Sequence, residues 1–461
     1  MIHKFSLLGK YIVLDVNSGA VLELDKLAYD LLDFAVEVGE VAESCPPEAI
    51  SRALTQGCTA AEALEGWSEL RGLQEDGLLF SGDDYVHPET AKLLGTAPVK
   101  AICLHVAHDC NLRCEYCFAA KGDFGTGREL MSPETAKKAI DFVVKRSGAR
   151  RNIEVDFFGG EPLMAMDTVK STVEYAKRFK DKNFRFTITT NGVALDDDSI
   201  EYINREMSNV VLSLDGRKEI NDAMRPTVNA KGSYDIIVPK FRELIEGRDK
   251  SKDYYVRGTF TRKNLDFSED ILHMAALGFD QLSVEPVVSE DFTLTDSERE
   301  EILDYAITER DLPEIYAEYE RLCGIMAEGG SFNFFHFNID LEQGPCVIKR
   351  LRGCGAGFEY VAITPQGDIY PCHQFAGKPE YLMGSVYGEE LDLGISGKFS
   401  ALNIYTREDC RDCWAKFYCS GGCNAANLAS TGRIDKAYKL GCDIEKKRVE
   451  CAIALAVARD R

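Results

Sequence analysis

The chain has 461 residues, 45% of them hydrophobic, which is enough for two to four domains with full cores and too apolar for a disordered protein. Its formal net charge of −22 argues against a nucleic-acid binder, which must neutralise phosphates with Lys and Arg, and against an anionic membrane surface. Met1-Ile2-His3-Lys4-Phe5 lacks a signal-peptide core and no apolar run is long enough to span a membrane, so a cytoplasmic protein is expected, and in that reducing compartment the 16 cysteines read as metal ligands.

Residues 1 to about 90 differ in character from the rest. The runs 10–15 and 20–24 flank Val16-Asn17-Ser18-Gly19 and predict a β-hairpin. Apolar spacing at Leu31, Leu32, Ala35 and Val36 predicts a helix over 28–38. Cys45-Pro46-Pro47 reads as a break, and Thr59-Ala-Ala-Glu62 as the capping box of a second helix over 59–74. A final strand is expected at 77–80. Strands and small helices in this order suggest a winged-helix-like module. Two uses are open: a packing or dimerisation domain, or a clamp that takes an extended peptide as an added strand.

From 98 to 290 strands and helices alternate. Strands are expected at 101–106, 153–158, 184–189, 210–214, 254–260 and 281–287, with helices near 132–147, 166–180, 196–206, 232–246 and 268–277. This pattern implies parallel βαβ units in an α/β fold, an open sheet or a partial barrel, with functional residues at the carboxyl ends of strands.

The first such end carries Cys110, Cys114 and Cys117 at spacing CxxxCxxC. Three thiolates on one loop can hold three irons of a [4Fe-4S] cluster and leave the fourth open; a zinc knuckle or unrelated buried thiols are the alternatives. Gly159-Gly160-Glu161 follows the second strand, where two glycines allow close approach of a ligand and Glu161 is an acceptor for an amine, unless this is an ordinary turn. Asn191, Ser213 and Asp215 close the next two strands, where they could hydrogen-bond a ribose or carboxylate or merely end a strand. Residues 290–340 read as a charged helical connector without a chemical motif. Cysteines then return at 346, 354, 372, 410, 413, 419, 423, 442 and 451. Cys45, Cys58, Cys103, Cys323 and Cys451 read as structural.

The stretch Cys110-Asn-Leu-Arg-Cys-Glu-Tyr-Cys-Phe118 resembles the signature of radical S-adenosylmethionine (SAM) enzymes, including the aromatic Phe118. The resemblance implies a partial (β/α)6 barrel. It also implies an open iron that chelates the amino and carboxylate groups of SAM, and SAM cleavage to a 5′-deoxyadenosyl radical that takes hydrogen from a substrate. It assigns Gly159, Gly160 and Glu161 to the SAM amino group, Asn191, Ser213 and Asp215 to the pocket wall, Arg225 to the SAM carboxylate, and Glu285 to the neighbourhood of adenosine or substrate. Cys354, then Gly367-x4-Cys372, then Cys410-x2-Cys413-x5-Cys419-x3-Cys423 and Cys442 resemble the SPASM extension. That implies two auxiliary [4Fe-4S] clusters, three in all. One would use Cys410, Cys413, Cys419 and Cys442; the other Cys354, Cys372 and Cys423 with Cys346. Without Cys346 an iron stays open to a substrate thiolate. The first 92 residues resemble the recognition element of enzymes that modify ribosomally made peptides (RiPPs). As a whole, the chain looks most like the thioether-forming SCIFF peptide maturases.

The implied organisation is a leader-peptide-binding domain over 1–92, a barrel over 98–290, a helical connector over 291–340 and a SPASM domain over 341–461. The implied reaction joins a cysteine sulfur to the α-carbon of threonine or another residue in a cysteine-rich precursor peptide bound through its leader, with ferredoxin or flavodoxin as reductant. His373, beside Cys372, is a candidate base. Alternatives are oxidation of Ser or Cys to formylglycine, as in anaerobic sulfatase-maturating enzymes, and a non-catalytic zinc or electron-transfer protein.

Overall fold

The computed structural model describes residues 1–83, 98–288, 304–339, 341, 347–388 and 390–459. Strand β1 (Ile2–Leu7) pairs antiparallel with β2 (Lys10–Asp15), which pairs with β3 (Val21–Leu24). The expected hairpin is β2–β3. The strand β1 preceding it was not expected, because its alternation of His3, Lys4 and Ser6 with apolar residues is short and mixed. Helices α1 (Lys26–Val38), α2 (Pro47–Thr55) and α3 (Ala60–Glu75) follow. The expected break is in fact the start of α2: Pro47 occupies the first helical position, where its missing N–H costs nothing. The capping box of α3 forms as expected, Thr59 Oγ1 accepting from Glu62 N and Glu62 Oε2 from Thr59 N. Residues 77–80, expected as a strand, form turns and bends instead.

The α/β region matches the expected strand set. Strands β4 (Ala101–His108), β5 (Asn152–Gly159), β6 (Asn183–Thr190), β7 (Asn209–Ser213), β8 (Asp253–Phe260) and β9 (Gln281–Pro286) lie side by side in chain order, all parallel. Between them run α4 (Pro133–Arg146), α5 (Met166–Ala176), α6 (Asp197–Glu206), α7 (Lys218–Met224), α8 (Tyr234–Glu246) and α9 (Phe267–Ala276). Alternation decides which side chain faces which layer. Ile153, Val155 and Phe157 are fully buried under the helices, leaving Glu154, Asp156 and Phe158 for the inner face.

Two later segments extend this sheet. After α10 (Leu312–Ala327), β10 (Asn333–Phe334) adds in parallel beyond β9. On the other side β11 (Tyr360–Ile363) joins β4 in parallel, and β12 (Asp368–Tyr370) and β13 (Gly384–Ser385) continue antiparallel. The C-terminal cysteine-rich segment therefore grows from the barrel sheet. Within the connector, residues 289–303 lie outside the described set. The helix Lys439–Arg459 closes the chain against α10. Among the described residues, no helix is long and apolar enough to cross a membrane.

Strand β2 explains how the first module attaches. Ile12, Val13 and Leu14 are all 0% exposed, so both faces of the strand are covered. Val13 packs with Leu31, Trp67 and Leu70 in the module's own core, whereas Phe5, Ile12 and Leu14 belong to the main core.

Candidate active site

Strand β4 delivers Cys110 at its carboxyl end, and two neighbouring segments hold the loop. On one side Arg113 N donates to Pro226 O at 2.8 Å and Glu115 N to Met224 O at 3.0 Å. On the other, Gly160 N donates to Ala107 O at 2.7 Å and Glu161 N to Asp109 O at 2.9 Å. A Cβ on Gly159 would stand 2.2 Å from Ala107 O, and one on Gly160 2.1 Å from Asp109 O. Gly159, at φ +126°, also adopts a backbone conformation that side chains disfavour. The close approach of the backbone of β4 and the cysteine loop thus requires both glycines.

Glu161 is held within the same loop. It is fully buried and accepts from Leu163 N (3.0 Å), Thr190 Oγ1 (2.7 Å) and Asn191 N (2.8 Å). Burial pushes its carboxyl up, these three donors pull it down, and it settles at about 7. It fastens the Gly-Gly loop to the end of β6. Asn191, set at that strand end, directs Nδ2 to Asn111 Oδ1 (2.8 Å) and to Cys110 Sγ (3.5 Å), and Leu112 N also reaches Cys110 Sγ at 3.4 Å.

Arg225 and Asp215 meet beneath the loop. Arg225 Nε lies 3.0 Å from Asp215 Oδ1, an ion pair too poorly aligned to count as a hydrogen bond. Asp215 also accepts from Tyr116 Oη (2.6 Å) and Thr259 N (2.9 Å), and the guanidinium sits 5.5 Å from the Tyr116 ring. The expected wall residue and the expected carboxylate-binding arginine thus neutralise each other beside Cys114. Ser213 ends β7 half-buried, on the inner face beside Arg257. Phe118 is exposed, its ring 5.7 Å from His373 and 6.4 Å from Phe158.

The three loop thiols lie within electrostatic reach of one another. Burial pushes Cys110 and Cys114 up to about 12, so unligated they stay protonated, and a soft cation is what would stabilise their thiolates. N–H donors on Cys110 Sγ and a buried cation beside Cys114 suit a cluster with net negative charge.

The later cysteines fall into two groups. Cys372 and Cys423 are each in reach of Cys354 and of one another. Cys442 is in reach of Cys410 and Cys413, and Cys419 of Cys442 and Cys410. Cys346 lies outside the described residues. Among the described residues, no three His, Cys, Asp or Glu side chains converge as ligands of one ion must. A cubic cluster carries each thiolate on a different iron and so spreads its ligands more widely. His373 is half-buried, its Nδ1 3.2 Å from Tyr360 Oη, and burial lowers it to about 4. Sequence reasoning missed the contribution of Tyr116, whose role depends on contact with residues about a hundred positions away.

Residues 104–256 match the radical SAM superfamily and residues 354–414 the SPASM iron–sulfur cluster-binding domain. The chain is 24% identical to the radical SAM cyclopropyl synthase TigE of Paramaledivibacter caminithermalis over 76% of its length and 72% of TigE. It is 25% identical to the cysteine-type anaerobic sulfatase-maturating enzyme of Clostridium novyi over 68% of its length and 85% of that enzyme. Among solved structures, anSMEcpe with bound AdoMet superposes at TM-score 0.64, with 18% identity, over 79% of this chain and 100% of that one. Streptococcus suis SuiB bound to S-adenosylmethionine superposes at TM-score 0.52, with 17% identity, over 96% of this chain and 98% of SuiB. The two domains imply [4Fe-4S] clusters and SAM binding. The chain thus carries a radical SAM domain over residues 104–256, within the parallel α/β region, followed by a SPASM domain over residues 354–414.

Proposed function

We propose that this protein installs intramolecular thioether cross-links, from a cysteine sulfur to the α-carbon of threonine or another residue, in a cysteine-rich ribosomally made precursor peptide. The observation that carries this reading is the apposition of two thiol sites: His373, next to Cys372, has its ring 5.7 Å from that of Phe118, next to Cys117. A substrate between them meets both a radical-generating site and a second metal site suited to sulfur. Bound at Cys110, Cys114 and Cys117, a [4Fe-4S] cluster with SAM supplies a deoxyadenosyl radical that takes a hydrogen atom from carbon. Asn191 orients Cys110, the Arg225–Asp215 pair buttresses Cys114, and Phe118 with Phe158 covers the inner face.

The expected organisation supplies the rest: a leader-binding domain over 1–92, a barrel over 98–290 and a SPASM domain over 341–461. Two auxiliary clusters would be held by the ligand groups named above, the Cys354 group with or without Cys346, and would accept the one electron released when the substrate thiolate, its proton lost, bonds to the α-carbon from which hydrogen was taken. The leader adds as a strand to β3, which among the described residues pairs only with β2. At the other edge of that sheet, β1 packs on the C-terminal helix. SuiB, which superposes over 95% of this chain at TM-score 0.50, has been solved with its precursor peptide SuiA. Ferredoxin or flavodoxin would supply electrons.

The test is anaerobic incubation of the reconstituted protein with SAM, reductant and the cysteine-rich peptide encoded beside its gene. Each cross-link should remove two hydrogens and one alkylatable thiol, with 5′-deoxyadenosine formed. An unchanged mass would defeat the proposal. The better superposition on anSMEcpe favours a second reading, oxidation of Ser or Cys to formylglycine. That product is an aldehyde, trapped by hydroxylamine, and forms no thioether.

A further inference from the structure

The inner face of the barrel holds an ion pair that opens toward the space between the two thiol sites. Along β8, Val256, Gly258 and Phe260 are buried on the helix side, so Tyr255, Arg257 and Thr259 face inward. Arg257 is in register with Ser213 of β7 and Ser283 of β9, and Glu285, two residues further along β9 on the same face, with Thr259. Arg257 Nη2 donates to Glu285 Oε1 at 3.4 Å, a long bond, and 55% of the arginine side chain is exposed.

Glu285 is anchored from behind. Arg448, on the C-terminal helix and only 8% exposed, donates Nη2 to Glu285 Oε2 at 3.1 Å. The same guanidinium is fixed by Tyr319 Oη at 2.9 Å, by Val284 O at 3.4 Å and by Glu445 at 3.6 Å. His336 lies 3.6 Å from Glu285 Oε1 and is held neutral by burial and by Arg448. Burial alone would raise the Glu285 carboxyl, but His336, Arg448 and Arg257 outweigh it and bring it to about 2. The pair is therefore a fixed carboxylate beside a guanidinium with spare donors, since five N–H groups share one long bond among the described residues.

Its position defines what it can meet. Glu285 is in electrostatic reach of Cys423, and Arg257 of His373, whose other neighbour is Phe118 on the cysteine loop. In an extended chain the N–H and C=O of one residue point to the same side and flank its α-carbon. An acceptor beside a donor is the complement of that pair.

We propose that Arg257 and Glu285 clamp one residue of the substrate's core segment, Arg257 donating to its C=O and Glu285 accepting its N–H, and so aim its α-carbon–hydrogen bond. The clamp rests on the thioether reading above, for which an aimed α-C–H bond is a requirement. It separates two tasks: the first module selects the leader, and β8 and β9 position the reacting residue.

The test compares the metal-loaded wild type with Arg257→Gln and Arg257→Lys, without SAM, by anisotropy of a labelled core peptide that lacks its leader. Loss of one charged hydrogen bond should weaken core binding about 10-fold, the equivalent of about 1.4 kcal/mol. Arg257→Lys should fall between, because a point donor replaces a fork. Binding of the isolated leader peptide should not change, which also shows that the variant is folded. With SAM and reductant, Arg257→Gln should form more 5′-deoxyadenosine per cross-link, since the C–H bond is poorly aimed. Core binding equal in wild type and Arg257→Gln, or none by the wild type, would overturn the clamp. A wild type that binds the core peptide but leaves its mass unchanged would sink the thioether reading alone.

Discussion

At the cysteine loop, single atoms decide what can be changed. Gly160→Ala places a methyl 2.1 Å from Asp109 O, which is backbone of the loop itself and cannot swing away. The loop must move, so iron bound per chain should fall by the share held at this site while the SPASM share remains. Iron assay and the cluster absorbance check this. Glu161→Gln keeps shape but turns one acceptor into a donor that faces backbone N–H or Thr190. Leaving such a buried donor unmatched costs about 1–3 kcal/mol, to be read from thermal unfolding. The sequence showed Glu161, Arg225 and Asp215 to be polar residues at strand ends. It could not show which groups they meet, because Thr190 lies 29 positions from Glu161, Thr259 and Tyr116 lie 44 and 99 positions from Asp215, and Arg225 and Asp215 meet across a helix.

The elements were largely legible. Apolar runs bounded by turn residues gave all six barrel strands to within two residues, because each strand buries at least one face under helices. Caps were legible for the same local reason. Thr59→Ala removes one half of the α3 capping box and should cost about 1 kcal/mol, seen as a lower melting temperature with unchanged iron content. Strand β1, helix α2 and the short strands β10 to β13 were not legible. Each is short, and each is stabilised by neighbours remote in sequence: β11, for example, pairs Tyr360 with Ala101.

The whole molecule is bolted at two places. His3 stacks on Trp414 at 3.6 Å between ring centroids and reaches Glu450 at 3.0 Å, while Lys416 Nζ donates to Asp83 at 2.8 Å. With Phe5, Ile12 and Leu14 in the main core, removing residues 1–83 strips apolar cover from the remaining domains. The truncated chain should be recovered mainly in the insoluble fraction. The barrel interior predicts a pH effect. Burial, with Glu154 adding to it, raises Asp156 to about 7. A carboxyl whose folded pKa lies above its unfolded value lowers stability as pH rises between those two values. Asp156→Asn should therefore raise the melting temperature more at pH 8 than at pH 5. An equal gain at both would show that Asp156 is not destabilised by ionisation.

The sequence by itself determined the strand and helix order of the α/β region, which depends on interactions within about ten residues, and the three-cysteine loop and the spacing of the late cysteines, which are read directly along the chain. Only the tertiary structure set Phe118 against His373 and drew Arg448 from the last helix to fix Glu285. These are contacts between residues more than a hundred positions apart, and no local pattern encodes them.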